Sequence, residues 1–519
     1  MTSPFLRRFR IFFSTIVLIC SILVFVDFRS LIPAKYINAF LYLQFVPSAL
    51  KFVQIRSLAA GGFIFVLLLT FLTGRTYCSF LCPLGIGMDL FSRMGGWFKK
   101  KFRRFGYKRP FTFVRYSLLA ITLTVTFIWG IYMLTLLDPY SIFGRFITFF
   151  IKPLFLYFNN FLESILRRFD VYILSNIHVH GFSPMTYLIP LFFLLLISTL
   201  SFTRGRLYCN MICPVGTFLG LISKISLFRI KFSEDKCTRC GRCSVGCKSS
   251  CIDFLKYHVD VSRCVDCFNC INTCPEKALS YGISDFRTKK QETDQSRRAF
   301  ITGSLILLSG TSYTTRGQEK KTPVPTRLST VKESRTYPVC PPGAGSMEEF
   351  NRLCTACSLC ITACPDRVLR PAVKEYGIAG LMQPVMDYHK SFCSYNCTIC
   401  NEICPTNALK PLIVEAKKLT QIGKVIFIKD NCIVKTEKTA CGACSESCPT
   451  KAVFMIPYED NLLIPDTNQD ICIGCGHCEY ACPTIPYKAI FVDGNPVHQA
   501  AQKPETTEAE ISTPEDFPF

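Results

Sequence analysis

The cysteines of this chain fall into groups with one recurring spacing, and that spacing restricts the possible folds more than any other feature. Cys354, Cys357, Cys360 and Cys364, followed by Pro365, read C-x2-C-x2-C-x3-C-P; Cys472, Cys475, Cys478 and Cys482, followed by Pro483, repeat it. Four thiolates so spaced hold a cubane [4Fe–4S] cluster: three wrap one cluster, and the fourth reaches a neighbouring one. Six groups of this kind take twenty-four of the 31 cysteines, which implies a row of one-electron centres. Cysteines two or three residues apart do not pair readily as disulfides, and structural zinc uses two CxxC pairs separated by a loop. Runs of three argue against both.

Residues 1–230 carry 25 Lys and Arg against 5 Asp and Glu, so most of the net charge of +22 belongs to this half. The same half holds four apolar stretches, 11–28, 57–73, 116–137 and 185–202, each about one bilayer crossing long. Arg7, Arg8 and Arg10 precede the first; Lys99–Lys101, Arg103 and Arg104 follow the second; Arg204 and Arg206 follow the fourth. Four spans with the N-terminus inside put all three basic segments in the cytoplasm. The charge therefore fits an anionic membrane surface, and no nucleic-acid partner is expected. The outer loop, 138–184, holds an aromatic stretch, 142–158, that reads as an interfacial helix; a fifth crossing there would place the basic loops on opposite faces.

An internal repeat supports the four spans. Gly74-Arg75-Thr76-Tyr77-Cys78, with Cys82-Pro83 and Gly85, matches Gly205-Arg206-Leu207-Tyr208-Cys209, with Cys213-Pro214 and Gly216. Each copy follows an apolar stretch and supplies two thiols. Brought together, Cys78, Cys82, Cys209 and Cys213 would suffice for a further cluster or for zinc; a redox-active thiol pair is the other reading.

Residues 232–290 form a soluble block with two groups, Cys237, Cys240, Cys243 and Cys247, and Cys264, Cys267, Cys270 and Cys274. Exchange of fourth ligands gives Cys237/Cys240/Cys243/Cys274 and Cys264/Cys267/Cys270/Cys247, with Cys251 an alternative to Cys247 because Lys248 stands where proline is usual. Ser296-Arg297-Arg298 then precedes a short apolar run, which fits a twin-arginine signal retained as a fifth, anchoring span over 291–315. Residues 316–342 read as a linker. Residues 343–495 carry the two groups named first, with Cys393, Cys397, Cys400 and Cys404 and Cys432, Cys441, Cys444 and Cys448 between them. Spacing alone leaves the pairing of fourth ligands open here, and the spacing after Cys393 and after Cys432 is stretched to x3 and x8. The acidic tail, 496–519, reads as disordered. Cys20 and Cys340 match no group. Six [4Fe–4S] clusters are expected, with four membrane cysteines left for a seventh.

Asp138, before Pro139 at the end of the third stretch, is a membrane-boundary carboxylate and so a functional candidate. His178 and His180 in the same loop are candidate proton acceptors. The sequence carries neither CxxCH nor a GxGxxG after a strand, so covalent haem and a bound nicotinamide or flavin are not expected.

With these motifs in order, residues 1–290 resemble the NapH/MauN type, and residues 296–495 the NapG/MauM type. The latter likeness includes Pro341-Pro342-Gly343-Ala344 and Glu348-Glu349-Phe350. The resemblance implies a multi-domain fold. An α-helical membrane bundle of four spans plus a fifth signal-anchor span would carry α+β ferredoxin-like domains, with residues 1–231 as the membrane part. It also implies a quinol dehydrogenase in the bacterial inner membrane. Electrons would pass from the quinone pool to an extracytoplasmic reductase, and the second ferredoxin domain would be periplasmic. Asp138, His178 and His180, by their own chemistry and place in the outer loop, are then the candidate acceptors of the quinol protons. The NosR and CcoG types share the membrane cysteine elements, so a redox-dependent maturation factor for a periplasmic metallo- or quinone-cofactor enzyme is the alternative.

Overall fold

The computed structural model describes residues 3–283, 329 and 331–503, apart from 28, 30, 58–60, 99–104, 129 and 178–182. His178, His180 and the Arg297-Arg298 segment lie outside the described residues.

Helix α1 (Ser3–Val26) runs through a helical domain whose other main elements are α2 (Gly62–Thr73), α3 (Pro83–Phe98), α4 (Thr112–Ile128), α5 (Pro139–Arg167, with a π-helical turn at Ile147–Ile151) and α6 (Pro184–Arg204). A short α7 (Pro214–Ile222) leads out of it. The first and fourth expected spans are α1 and α6. The second and third differ: α2 has 12 residues, and α4 stops at Ile128 before a separate helix at Tyr132–Leu137. Gly130, at φ +105, breaks that span. By length and composition three described helices are apolar enough to cross a membrane: Phe5–Val26, Pro139–Arg167 and Pro184–Arg204.

Helix α5 was expected to be interfacial from residue 142 to 158, and it is longer, at 29 residues. Asp138 starts it by accepting hydrogen bonds from the Ser141 backbone at 2.8 Å and the Ser141 hydroxyl at 2.7 Å, with Pro139 in the first turn. A Cβ at Gly144 would lie 2.7 Å from the Phe25 ring, and Asn159 accepts from Arg29 at 3.4 Å. Gly144 and Asn159, about 22 Å apart along α5, thus both meet residues at or just beyond the C-terminal end of α1. By length and composition the helix is a candidate span.

The first ferredoxin domain pairs strand β1 (Phe228–Phe232) antiparallel with β2 (Leu279–Ile283). It sits at the N-terminal end of α1, which packs on its Asn269–Thr273 helix. The second domain sits at the other end of α1, against the Leu359–Ala363 helix. Its longest ribbon joins β3 (Thr420–Phe427) to β4 (Ile490–Ala500), with a bulge between Gly494 and Gln499. The expected linker is part of this domain from residue 331 on. Val331 donates to Asn431 at 3.1 Å, Tyr337 accepts from Gly494, and Val339 and Cys340 are buried. The expected tail likewise begins later, because β4 runs to Ala500 and Ala501 is buried.

Asp89 of α3 ties the first domain to the bundle. Its carboxylate meets Arg10 at 2.9 Å, Arg206 at 2.9 Å and Lys248 of the ferredoxin at 3.3 Å, all nearly buried. Removing one member of a buried ion network leaves its partners as unpaired buried charges. Asp89→Asn should therefore cost roughly 3–5 kcal/mol and loosen the first ferredoxin. Earlier thermal unfolding and faster proteolysis within 228–283 are the expected readouts; wild-type behaviour in both would mean the ion pairs do not hold the domain.

Candidate functional site

The repeat folds the same way twice. Gly74 caps α2 at φ +80 and Gly205 caps α6 at φ +65, conformations open to glycine. Side chains there would also collide with the first ferredoxin: a Cβ at Gly74 lies 2.6 Å from Asp266 Oδ2, and one at Gly205 lies 2.5 Å from the Lys248 carbonyl. A short helix follows in each copy, Tyr77–Phe80 and Leu207–Met211, and then Cys82-Pro83 and Cys213-Pro214 open α3 and α7. The Cys82 thiol accepts from Gly85 N at 3.4 Å and the Cys213 thiol from Gly216 N at 3.3 Å.

The two copies interlock through their arginines. Arg206 donates to the Cys78 carbonyl at 2.6 Å, and Arg75 donates to the Cys209 carbonyl at 3.1 Å. Gly85 and Gly216 make room: a Cβ on either would come within 2.3 Å of that same carbonyl. Arg75 Nη2 also lies 3.8 Å from the Cys78 sulfur. Cys78, Cys82, Cys209 and Cys213 are 3–4 % exposed, and they lie within electrostatic reach of one another. The structure buries them between the two ferredoxin domains.

The residues around this four-cysteine centre fit an anionic iron–sulfur group. Arg75 Nε and Arg206 Nη2 are buried donors without a protein acceptor. Arg10 and Lys248 add two more cations nearby, against the two carboxylates of Asp89 and Asp266. Such an excess of buried positive charge needs a compensating anion, and four thiolates holding iron supply one.

The ferredoxin cysteines form complete sets. Cys237, Cys240, Cys243 and Cys274 line one small cavity, as the exchange of fourth ligands requires. Cys267 and Cys270 both face Cys247. Cys251 lies 3.4 Å from the Cys247 sulfur and beside Cys264, so Cys247 and Cys251 both adjoin this set. In the second domain the pairing left open by spacing is visible. Cys354, Cys357, Cys360 and Cys404 line one cavity, and Cys432, Cys441, Cys444 and Cys482 another. Cys364 faces Cys393 and Cys400, with Cys397 beside them, and Cys448 faces Cys472, Cys475 and Cys478. Burial pushes the Cys243 thiol up to about 11 and the Cys444 thiol up to about 12. Filling these sets with iron must therefore release protons.

The sets also have an order. The one containing Cys267 lies nearest the bundle, beside Arg206 and Lys248. The four-cysteine centre follows. Beyond it, Tyr77 and Tyr208 lie beside Asp138, and Tyr140 lies between Tyr77 and the Cys357/Cys404 set. A Cβ at Gly144 would come 2.3 Å from the Cys357 carbonyl, so α5 touches this loop directly. Cys393 donates its backbone N–H to the Cys475 carbonyl at 2.9 Å, which joins the two halves of the second domain. At the far end of the first domain, Cys240 is exposed.

Asp138 is 1 % exposed and engaged as a helix cap. It lies inside this ladder of tyrosines, where a quinol could reach it only by opening the bundle. Its sequence signal, Asp-Pro at the end of an apolar stretch, cannot tell a boundary from an interior cap. The sequence reading missed Asp89 and the exchanged arginines, although Arg75 and Arg206 were legible as matched positions of the repeat.

Residues 58–104 and 185–233 match a family described as a 4Fe-4S binding domain, and residues 439–485 match a 4Fe-4S dicluster domain. The chain is 30% identical over 118 residues to an uncharacterised protein of Methanocaldococcus jannaschii, covering 23% of this chain and 45% of that protein. It is 29% identical over 152 residues to the ferredoxin-type protein NapF of Escherichia coli, covering 29% of this chain and 84% of NapF. It is 30% identical over 155 residues to the methylamine utilization ferredoxin-type protein MauM of Methylophilus methylotrophus, covering 27% and 65%. No solved structure matches. The chain is thus an iron–sulfur electron-transfer protein of the ferredoxin type.

Iron counting checks these sets. Four irons per set give about 24 in the ferredoxin domains and about 28 with the centre. Cys78→Ser/Cys209→Ser should lower anaerobic iron content by about four; an unchanged content would mean these cysteines do not bind iron. Cys354→Ser and Cys404→Ser should each deplete the same set, so the double variant should lose no more iron than either single one.

Proposed function

We propose that the chain is a membrane-embedded electron conduit that takes electrons from quinol and passes them to an extracytoplasmic redox enzyme. The observation that carries this reading is the end-to-end order of the cysteine sets, from Cys240 through the four-cysteine centre to the Cys432/Cys482 set. When bound, iron–sulfur clusters supply one-electron redox chemistry, which can divide a two-electron donor between neighbouring sites. The protein's part is to fix their order and exclude water from the middle of the row. Tyr77, Tyr208, Tyr140 and Asp138 fill the gap between the centre and the second domain with packed side chains.

The two ferredoxin domains at opposite ends of α1 support opposite sides of a membrane, with the basic loops at the cytoplasmic end. The relatives named ferredoxin-type, NapF and MauM, support a role with separate redox partners. A twin-arginine signal at Arg297-Arg298 accounts for export of the second domain after its iron is inserted. Protease added to intact spheroplasts should therefore cut within 331–503 and spare 228–283. Cleavage of the second domain only in inverted vesicles would reverse the orientation.

Stopped-flow reduction of the purified protein in lipid nanodiscs tests the conduit. A menaquinol or ubiquinol analogue should develop the iron–sulfur electron paramagnetic resonance signals. In Cys78→Ser/Cys209→Ser, the ferredoxin domain farther from the quinol should be reduced at least about a hundredfold more slowly, a barrier rise of roughly two factors of ten. Dithionite, which reaches both domains from solvent, should reduce them as in wild type. Equal quinol rates in variant and wild type would end the conduit reading. Failure of every quinol with the wild type would leave the maturation factor as the better account.

A further inference from the structure

A cavity of about 620 Å³ opens where α5 and the start of α6 meet the second ferredoxin domain. This volume is within the roughly 300–1,000 Å³ typical of small-molecule sites. Its two walls differ in character. Leu156, Tyr157 and Met185 form the helical wall, and Tyr157 and Met185 are exposed, so the cavity continues into the apolar flank of the helices. The opposite wall is polar, with Arg367, Arg370, Asp387 and His389 of the ferredoxin domain. Arg370 is committed within this wall to Glu375 at 2.7 Å and Asp387 at 3.1 Å.

Lys152 reaches across from α5. It is 8 % exposed, and its ammonium donates to the Thr362 carbonyl. An ammonium has three donors, so this bond leaves others for a ligand oxygen. Thr362 stands between Cys360 and Cys364, which belong to two different sets. The inner end of the cavity is therefore the short backbone that joins two electron-accepting sites.

Three properties coincide here: an apolar mouth, a hydrogen-bond donor that is almost buried, and an inner end set between two cysteine sets. A phospholipid headgroup answers to the first two and has no use for the third. A water-soluble donor has no use for the apolar mouth. An isoprenoid quinone answers to all three, with an apolar tail and ring oxygens that accept hydrogen bonds. We infer that this cavity holds the quinone headgroup, its ring oxygen toward Lys152 and its tail along Leu156, Tyr157 and Met185. The inference rests on the quinol reading above and moves its site away from the enclosed Asp138. Lys152 acts as a binding residue, and His389 and Asp387 line the polar side of the ring.

The test uses the full chain in lipid nanodiscs and the fluorescent quinol analogue 2-heptyl-4-hydroxyquinoline N-oxide, whose emission is quenched when it is bound. Wild type should bind one equivalent. Lys152→Gln removes a charge-assisted hydrogen bond and should weaken binding at least about tenfold. Because Lys152 is buried and this change could disturb folding, Met185→Trp at the exposed mouth provides a second variant. It should weaken binding at least about tenfold as well, by narrowing the cavity, and leave iron content and the dithionite-reduced spectrum as in wild type. Wild-type affinity in both variants would overturn the inference, since the analogue would then sit elsewhere. So would displacement of the analogue by added phosphatidylglycerol, which would make this a lipid site. A wild type that does not bind the analogue would overturn it too, and reduction by quinol in the same sample would then decide separately whether the quinol reading survives.

Discussion

The centre of this structure depends on an exchange. Each copy of the repeat sends its arginine to the carbonyl of the other copy's first cysteine, Arg206 to Cys78 and Arg75 to Cys209. Neither copy can hold its thiols in place alone, because the donor that fixes each loop comes from the partner loop. Other features follow from that contact. Gly85 and Gly216 must lack side chains for the carbonyls to approach, Gly74 and Gly205 must turn the chain sharply, and prolines must restart the helices beyond the second cysteines. The first ferredoxin is held by the same groups, since Arg75 also donates to the Ser262 carbonyl and the Arg206 backbone donates to the Lys248 carbonyl.

Burying two guanidinium groups is costly unless something nearby carries negative charge. Asp89 meets part of that need, shared with Arg10 and Lys248. The remaining imbalance is favourable once thiolates ligated to iron occupy the space between the loops. Charge that would destabilise an empty helical bundle would suit a filled one, and the same charged groups dock the ferredoxin domain that lies beside the centre.

Much of this was legible in the sequence, and for a local reason. A cluster loop needs its cysteines at fixed short separations, so Cys237 to Cys274 and Cys354 to Cys482 could be grouped without a structure. The repeat around Cys78 and Cys209 was equally local. What escaped were relations between distant segments. The partner of Cys364 is set by how the Cys393–Cys400 loop packs back, and no spacing rule encodes that. Helix limits differ from apolar limits where the backbone overrides composition: Gly130 divides one stretch, and α5 extends well beyond the aromatic run 142–158. Asp138 looked like a boundary carboxylate because an Asp-Pro pair has the same appearance at a membrane edge and at a helix start inside the protein.

The exchanged arginines also make each copy of the repeat incomplete by itself. A shorter chain with a single copy of the repeat would own two thiols and one arginine, with no carbonyl of the right kind to receive it. Two identical chains related by a two-fold axis would complete each other, since an isologous contact supplies every group twice. Joining the two copies in one polypeptide removes the need for that assembly and frees the halves to differ. The halves do differ: the position after the first cysteine is Ser79 in one copy and Asn210 in the other, and Asn210 accepts a hydrogen bond from Arg75 at 2.9 Å, whereas Arg206 turns to Asp89. The symmetry of such a contact is kept here within one polypeptide, together with the asymmetry that gives its two faces different neighbours.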